Sequence, residues 1–572
     1  MKTITATILL IVMVAFFAIP KQLYAQTAAD TMYVPAMKPD GSPNFLSDVI
    51  MGDTTATGMR KDPNRVYVIQ QTGAVDTTYF INNLIDFDYN LTVVGKTNPV
   101  TGHPPVIEPF INLDNSSPWT YFRGIKGTLK LDNIFFLATR TDSVSKTSRF
   151  IYTKGDSVTF IANRCVFDNF NNGNMINFAG SHGKLFVTNS EFRNIQSPYF
   201  RGGSAFWANS GVPVDTAIFA NDTFFCVMRA MLGSPGEFGY LDFDHNTVFM
   251  TESSPFLIPQ LTNAVIKNNI FFGLMAHGAD STQIKSNWYN GNQEGPSIIT
   301  LDSLTSLANA PYNYTEAGRN VTVENNAYFW PQGLRNYWKA VSDTATDSGL
   351  ITAPVWMNKQ TKMMFTDTKT WPGITAALND SVDPGFASPL VTSATDSLVK
   401  FTNLIWTNGS TGPYRWSQYP VDPLNVFKNV PSDWASKQGY PVPENLQYSN
   451  IALQTMGTDG KPLGDLNWYP KALTPIQKTY NPEPSQYTLN QNYPNPFNPT
   501  TNIQFSIPQA TKVRLTVYNI LGQKVATLIN GKRLQAGVHV VQFNALHLAS
   551  GMYIYRLRAG NFMASKKLML IK

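Results

Sequence analysis

The stretch from Ile266 to Phe272 reads IKNNIFF, in which two asparagines interrupt an apolar run. Six other stretches align with it: LDNIFF (131–136), IANRCVF (161–167), VTNSEF (187–192), FANDTFF (219–225), FDHNTVF (243–249) and VENNAYF (323–329). With the asparagine-rich column as zero, the column holds Asp132, Asn163, Asn189, Asn221, His245, Asn268 and Asn325, at steps of 31, 26, 32, 24, 23 and 57 residues. Self-similarity at such spacing is the signature of a solenoid, each step being one coil. The last step is two coils, or one coil with a large insertion.

Two places before the column stand Ile161, Val187, Phe219, Phe243, Ile266 and Val323. A period of two gives a strand with one face inward. Three places after it come Val166, Phe192, Phe224, Val248, Phe271 and Tyr328, so the chain turns at the asparagine and re-enters the core. Asparagine suits that place because it tolerates the left-handed backbone of a sharp turn. Stacked at the strand spacing of about 4.8 Å, its amide can also bond to the copies above and below. Asn163, Asn189, Asn221, Asn268 and Asn325 are therefore expected to form a structural ladder.

Composition agrees with an all-β chain. The 572 residues are 43 % hydrophobic and only 14 % charged, and 13 % are aromatic, which suits globular β-domains. The formal charge of +6 is read as spread along the chain without a basic arm, which excludes nucleic acid as an implied partner. Lys2 precedes an apolar run from Ile8 to Ile19 and a polar stretch to Ala25, the layout of a secretory signal peptide over 1–25. That run is too short for a comfortable membrane span, and the chain is read as not transmembrane and as a monomer. Cys165 and Cys226 fall in coils two steps apart. The axial distance of about 10 Å exceeds the Cα separation of about 7 Å that a disulfide allows, so both are read as reduced packing residues. The six histidines show no ligand spacing, and no metal site is assigned.

The aligned coils, with LTVVGKTNPVTGHPPVIEP (91–109) as the first of them, resemble the right-handed parallel β-helix of the pectate-lyase-like superfamily. The domain reading is a lead-in over 26–65, coils over 66–389 and a Pro- and Gly-rich extension over 390–485 that packs on or caps the helix. The run DPGF (383–386) is similar to runs closing such coils. A small immunoglobulin-like β-sandwich follows over 486–572. Its strands alternate in NIQFSI, KVRLTVYN, QKVATL, VHVVQF, MYIYRL and KKLMLI, with hairpin turns at Gly522, Asn530-Gly531, Gly537, Ser550-Gly551 and Gly560-Asn561.

The stretches YTLNQNYPNPFNPTTNIQFSIP, VYNILGQKVATL, AGVHVVQFNA, LASGMYIYRLRAG and SKKLMLIK resemble the type A C-terminal sorting domain of the type IX secretion system. The resemblance implies passage through the periplasm, recognition by an outer-membrane translocon, removal by a sorting peptidase, and a secreted or surface-bound passenger. The matching residues are Asn495, Pro496, Phe497, Gly522, Gly551, Tyr553, Lys567 and Lys572. Each also reads as a turn former or core packer, and for the glycines and Tyr553 that reading is preferred.

Activity is less legible. Lyases on this fold use a basic residue with calcium-binding carboxylates, because proton abstraction beside a uronate needs a base and charge neutralisation. One and three places before the column, Asp242, Asp244 and Lys267 form the best outward cluster, with His245 in the column and Glu324 further along. Lys267 and His245 are the catalytic candidates, Asp242 and Asp244 the ligand or calcium candidates. Trp207, Trp330 and Tyr328 are candidates for stacking on sugar rings. Three readings follow: a polysaccharide-binding or surface-structural passenger, a polysaccharide lyase or hydrolase, and an adhesin.

Overall fold

The computed structural model describes residues 31–386 except 71–75, 115, 139–146, 148, 171–173, 196–203, 210–211, 228–230, 234–237, 253, 259, 277, 279–296, 305–314 and 345–352. It further describes 395, 398–399, 445–469 and 487–571, except 490–491, 493–494, 496 and 535–536. Residues 1–25, read above as a signal peptide, Pro496, Lys572 and most of residues 390–485 lie outside the described residues. The chain divides into two units, Met1–Pro470 and Lys471–Lys572.

Short alternating apolar runs in the first unit can bury only one face each, and they do so by winding around a common interior. Among the described residues, eleven strands from Thr31–Val34 to Ile374–Ala377 form a long sheet. Ten strands from Thr78–Ile81 to Asp380–Ser381 form a second sheet, and seven from Ile85–Phe87 to Phe256–Leu257 a third. Neighbours in each sheet come from successive coils and run parallel, which makes the unit a parallel β-solenoid. Asn263–Lys267 pairs directly with Asn320–Glu324, so the 57-residue step is one coil carrying an insertion. The helix Leu46–Gly52 puts Leu46 and Ile50 into the same core.

The pairing corrects the alignment of the early coils. Asn163 pairs with Asp132 on one side and with Thr188, not Asn189, on the other. The left-handed place after the eight long-sheet strands from Thr128–Asp132 onward is held by Asn133, Arg164, Asn189, Asn221, His245, Asn268, Asn325 and Leu378, all with φ between 50° and 64°. Asp132 and Asn163 stand one residue earlier, at the strand end. A one-residue slip exchanges the two faces of a strand. Accordingly Phe160 and Ala162 are buried while Ile161 faces outward, and Phe167 rather than Val166 enters the aromatic column. In that column Phe136, Phe167, Phe192 and Phe224 stack with centroids 5.6, 5.2 and 4.8 Å apart. Such pairs add about 0.5–1.5 kcal/mol each beyond their burial.

The interior ladder runs one residue after the left-handed place. The backbone N–H of Ser190 donates to Asp222 Oδ1 at 2.7 Å, that of Asp222 to Asn246 Oδ1 at 2.9 Å, and that of Asn246 to Asn269 Oδ1 at 2.7 Å. Asn269 and Asn326 continue the series to Asn326 Oδ1 and Asn379 Oδ1 at 3.1 and 3.3 Å. Each amide nitrogen then donates to a strand carbonyl of the preceding coil: Asn246 to Phe219, Asn269 to Phe243, Asn326 to Ile266 and Asn379 to Val323, at 2.8–3.0 Å. The asparagines of the original column take a different role. Asn163 Nδ2 donates to Asp132, Asn189 Nδ2 to Asn163 and Asn221 Nδ2 to Asn189, at 2.8, 2.8 and 2.6 Å, in a chain on the outer side.

Both cysteines are buried, and neither is in a disulfide. Cys165 occupies the ladder position of its coil, its N–H donating to Ser190 Oγ, and burial pushes its thiol up to about 12.

In the second unit, strands Thr488–Leu489, Thr500–Ile507 and Gly537–Asn544 form one antiparallel sheet. Thr511–Asn519, Lys524–Leu534, Gly551–Ala559 and Phe562–Leu570 form another. Ile503, Phe505, Val513, Leu515, Tyr555 and Leu557 belong to one core between them. Asn530-Gly531 is not a hairpin turn: Val513 pairs with Lys532 and Arg514 with Asn530, leaving Gly531, at φ 68°, as the extra residue of a bulge within one strand.

Asp222 is the one carboxyl in a ladder otherwise continued by amides. It is fully buried and its Oδ2 has no hydrogen-bond partner. By register, the carbonyl matching those bonded by the later asparagines is that of Val187, the partner of Phe219. Burial, with Asp465 as a further negative group, raises the Asp222 carboxyl well above the ordinary range. The folded state thus holds this proton more tightly than the unfolded chain, so the penalty grows as pH rises above the ordinary carboxyl pKa. Asp222→Asn should therefore stabilise the solenoid by about 1–3 kcal/mol at pH 8 and by much less at pH 4. Denaturant melts of both proteins across this range check the sign; a variant less stable than wild type at pH 8 would contradict it.

Candidate functional site

The strand Leu241–Asp244 alternates inward Leu241 and Phe243 with outward, half-buried Asp242 and Asp244. The next coil places Val265 beside Asp242 and Lys267 beside Asp244, and the coil after that places Glu324 beside Lys267. Asp242, Asp244 and Lys267 therefore share one outer face, but they do not act as one group. Asp244 Oδ1 accepts from Asn268 Nδ2 and contacts His245 Nδ1, both at 2.8 Å, while Asp244 Oδ2 lies 3.6 Å from Lys267 Nζ. Both oxygens of Asp244 are thus engaged within the fold. Asp242 stands apart, with Tyr240 Oη at 3.5 Å from Oδ2 and Oδ1 sealed from solvent without a hydrogen bond. Burial, reinforced by the charge of Asp244 and opposed by Lys267, pushes its carboxyl up to about 7. Among the described residues no three His, Cys, Asp or Glu gather as a metal site.

His245 faces a second carboxylate, with Nε2 at 3.4 Å from Asp459 Oδ1. Asp459 belongs to residues 445–469, which form a strap over the turns and over the outside of the ten-stranded sheet. Asn325 Nδ2 donates to the Met456 carbonyl, Asn268 exchanges side-chain bonds with Thr458 at 2.8 and 3.0 Å, and Asn221 accepts from Leu466 N. The Asp465 N–H donates to Thr247 Oγ1, and Thr223 Oγ1 donates to Asp465 Oδ2 at 2.7 Å. Tyr448, Leu453 and Leu463 close over Ile270 and Ala327. The outward half of the turns at Asn221, His245, Asn268 and Asn325 is therefore a docking strip for the strap, a role the spacing of asparagines did not disclose.

The stacking candidates divide. Trp330 is buried, with Nε1 donating to the Leu274 carbonyl at 2.9 Å. Tyr328 is half-buried and lies parallel to Trp356 at 4.7 Å; Trp207 is half-buried. Sequence reading also missed a buried charge group on the ten-stranded sheet. There Arg193 Nη1 lies 3.1 Å from Asp168 Oδ2 and Arg193 Nε 3.6 Å from Glu191 Oε1.

In the second unit, Asn495 Oδ1 accepts from Met569 N at 2.7 Å, and Phe497 exchanges backbone bonds with Met569 and Ile571. Phe497 is buried beside Phe543. The proline-rich lead-in thus joins the last strand of its own unit. Gly522 turns at φ 78°, Gly551 opens its strand at φ 149°, and buried Tyr553 donates to the Ala549 carbonyl at 2.7 Å. Lys567 is exposed.

Residues 491–572 match the family model of the secretion system C-terminal sorting domain. No curated protein matches the chain. The second unit is thus a type IX sorting domain, handled by that export machinery, and the protein is delivered to the cell surface or beyond it. No helix among the described residues is long and apolar enough to cross a membrane.

The strap meets the coils closely at Gly464. Gly464 sits at φ 78°, and a Cβ there would meet Thr247 Oγ1 at 2.5 Å. Gly464→Ala should lift the strap while the coils persist. Limited proteolysis should then cut within 445–469 at least about tenfold faster, the expected consequence of lower local stability; an unchanged cleavage rate would show that the strap does not depend on this contact.

Proposed function

We propose that the solenoid is an extracellular passenger that binds polysaccharide along the outward face of its long sheet, with Asp242 as the polar anchor. The observation that carries this reading is the half-buried carboxyl of Asp242, whose Oδ2 makes one long contact, to Tyr240 Oη at 3.5 Å, within a largely apolar column. That column runs Ile161, Phe186, Ile218, Asp242, Val265 and Thr322 in successive coils. A polymer lying along the axis meets one of these side chains about every 4.8 Å. A carboxyl near 7 is part protonated at neutral pH, and so can both donate to and accept from sugar hydroxyls. Lys267 is held by Asp244, which favours a neutral glycan over a polyuronate.

The raised Asp242 carboxyl also favours a second reading, glycoside hydrolysis. Asp244 lies two residues on along the same face, at about 7 Å by strand rise, inside the separation of about 6.5–9.5 Å used by inverting enzymes. In that role Asp242 would be the general acid. The three groups already facing Asp244 weigh against its acting as base.

The test is retention of neutral and acidic glycans by the purified full chain, with released reducing ends measured in parallel. Asp242→Ala should weaken retention at least about tenfold, the scale of one or two lost hydrogen bonds. Asp242→Asn, which keeps a donor and an acceptor, should largely preserve it. Reducing ends that depend on Asp242 would establish the hydrolase instead, and neither retention nor product would refute both readings.

A further inference from the structure

The charge of this chain is not spread along it. Residues 491–572 carry ten Lys or Arg and neither Asp nor Glu, leaving thirty-four basic against thirty-eight acidic residues in the rest of the chain. In the four-stranded sheet of the sorting domain, inward Val513, Leu515, Tyr555 and Leu557 fill the core. Alternation then sends Lys512, Arg514, Arg556 and Arg558 outward, and all four are exposed. Arg514 and Arg558 are directly opposite across the strand pair, an arrangement of like charges that destabilises a sheet. The domain has no acidic side chain of its own to relieve it. Net charge of one sign favours solubility, but solubility does not require that it be concentrated on one face.

Apolar side chains are interleaved with these charges. Met552, Met563 and Met569 are 42 %, 61 % and 38 % exposed, and Arg556 lies over the Tyr518 ring at 5.3 Å. A surface that only gathers phosphates needs cations alone, whereas Arg, Met and Tyr together are the residues enriched at protein interfaces. Methionine adds a deformable contact.

We propose that this outer sheet face, centred on Arg514, Arg556 and Arg558, is the surface by which the sorting domain docks onto an acidic protein component of the export machinery. The proposal rests on the sorting assignment and is independent of what the passenger binds. Electrostatic complementarity on this face would speed encounter and fix orientation.

The test is export of the full chain carrying Arg514→Glu, Arg556→Glu and Arg558→Glu together, against a control with Lys126→Glu, Lys362→Glu and Lys369→Glu. The control makes the same change in net charge at exposed passenger positions. The face variant should fall at least about tenfold in extracellular amount and accumulate in the periplasm, while the control is exported as wild type. Replacement of the three arginines by lysine should restore most of the export. A parallel glutamine triple, whose sheet is verified by circular dichroism, separates loss of docking from loss of fold. It should also be exported poorly. Wild-type export of a folded glutamine or glutamate variant, or equal loss in the control, would overturn the proposal. So would binding of the wild-type chain to lipopolysaccharide vesicles that the glutamate variant loses, because the ligand would then be a phosphorylated lipid. If deletion of the whole sorting domain left export intact, the sorting assignment itself would fall, which distinguishes that failure from this one.

Discussion

Where each coil turns from the long sheet into the ten-stranded sheet, the strand ladders lapse and a buried backbone N–H is left pointing along the solenoid axis. An unmet donor there costs about 1–3 kcal/mol, and the cost recurs in every coil. The chain meets it with the side-chain oxygen of the next coil, from Ser190 through Asp222, Asn246, Asn269 and Asn326 to Asn379. Because each amide also reaches a strand carbonyl of the preceding coil, the ladder ties neighbouring coils through both halves of one side chain. Strand register and the phenylalanine stack depend on that tie, since a slip by one residue would exchange core and surface.

The two residues of the turn divide the work. The first, left-handed and outward, presents Asn221, His245, Asn268 and Asn325 to the strap; the second, inward, carries the ladder. Later coils therefore write the turn as Asn-Asn, at 268–269 and 325–326. Earlier coils, with Asn133-Ile134 and Arg164-Cys165, lack the inward amide. The charges around Asp244 belong to this same junction. Its carboxylate holds Asn268, His245 and Lys267, so a cluster with the look of an acid-base site is largely committed to the seam between coils and strap. Asp242, two residues away, has no such commitment.

The solenoid was legible because the inward period of two and the phenylalanine after the turn recur from 187 onward. In the two earliest aligned coils the reading slipped by one residue. Asp132-Asn133 and Asn163-Arg164 each offer two polar residues in succession, and side-chain chemistry cannot say which is left-handed. The interior ladder was hidden for the same reason, since an asparagine of the outward column stands next to each inward one at 268–269 and 325–326. The strap was not legible as a partner of the turns because its contacts span about two hundred residues of chain. Only backbone pairing shows Gly531 as a bulge, as Asn-Gly is equally a hairpin signal. The sorting domain was legible from motif matches, but its one-sided charge required counting by domain.

The central claim is that the turn N–H groups are held by buried side chains and open only when the stack comes apart. Residue-resolved hydrogen exchange at Ser190, Asp222, Asn246 and Asn269 measures this directly. The account predicts that these amides exchange as slowly as those of the core strand Leu241–Asp244, with the free energy of global unfolding. Exchange as fast as at the exposed turn of Gly522 would mean that the coils are held together without the ladder.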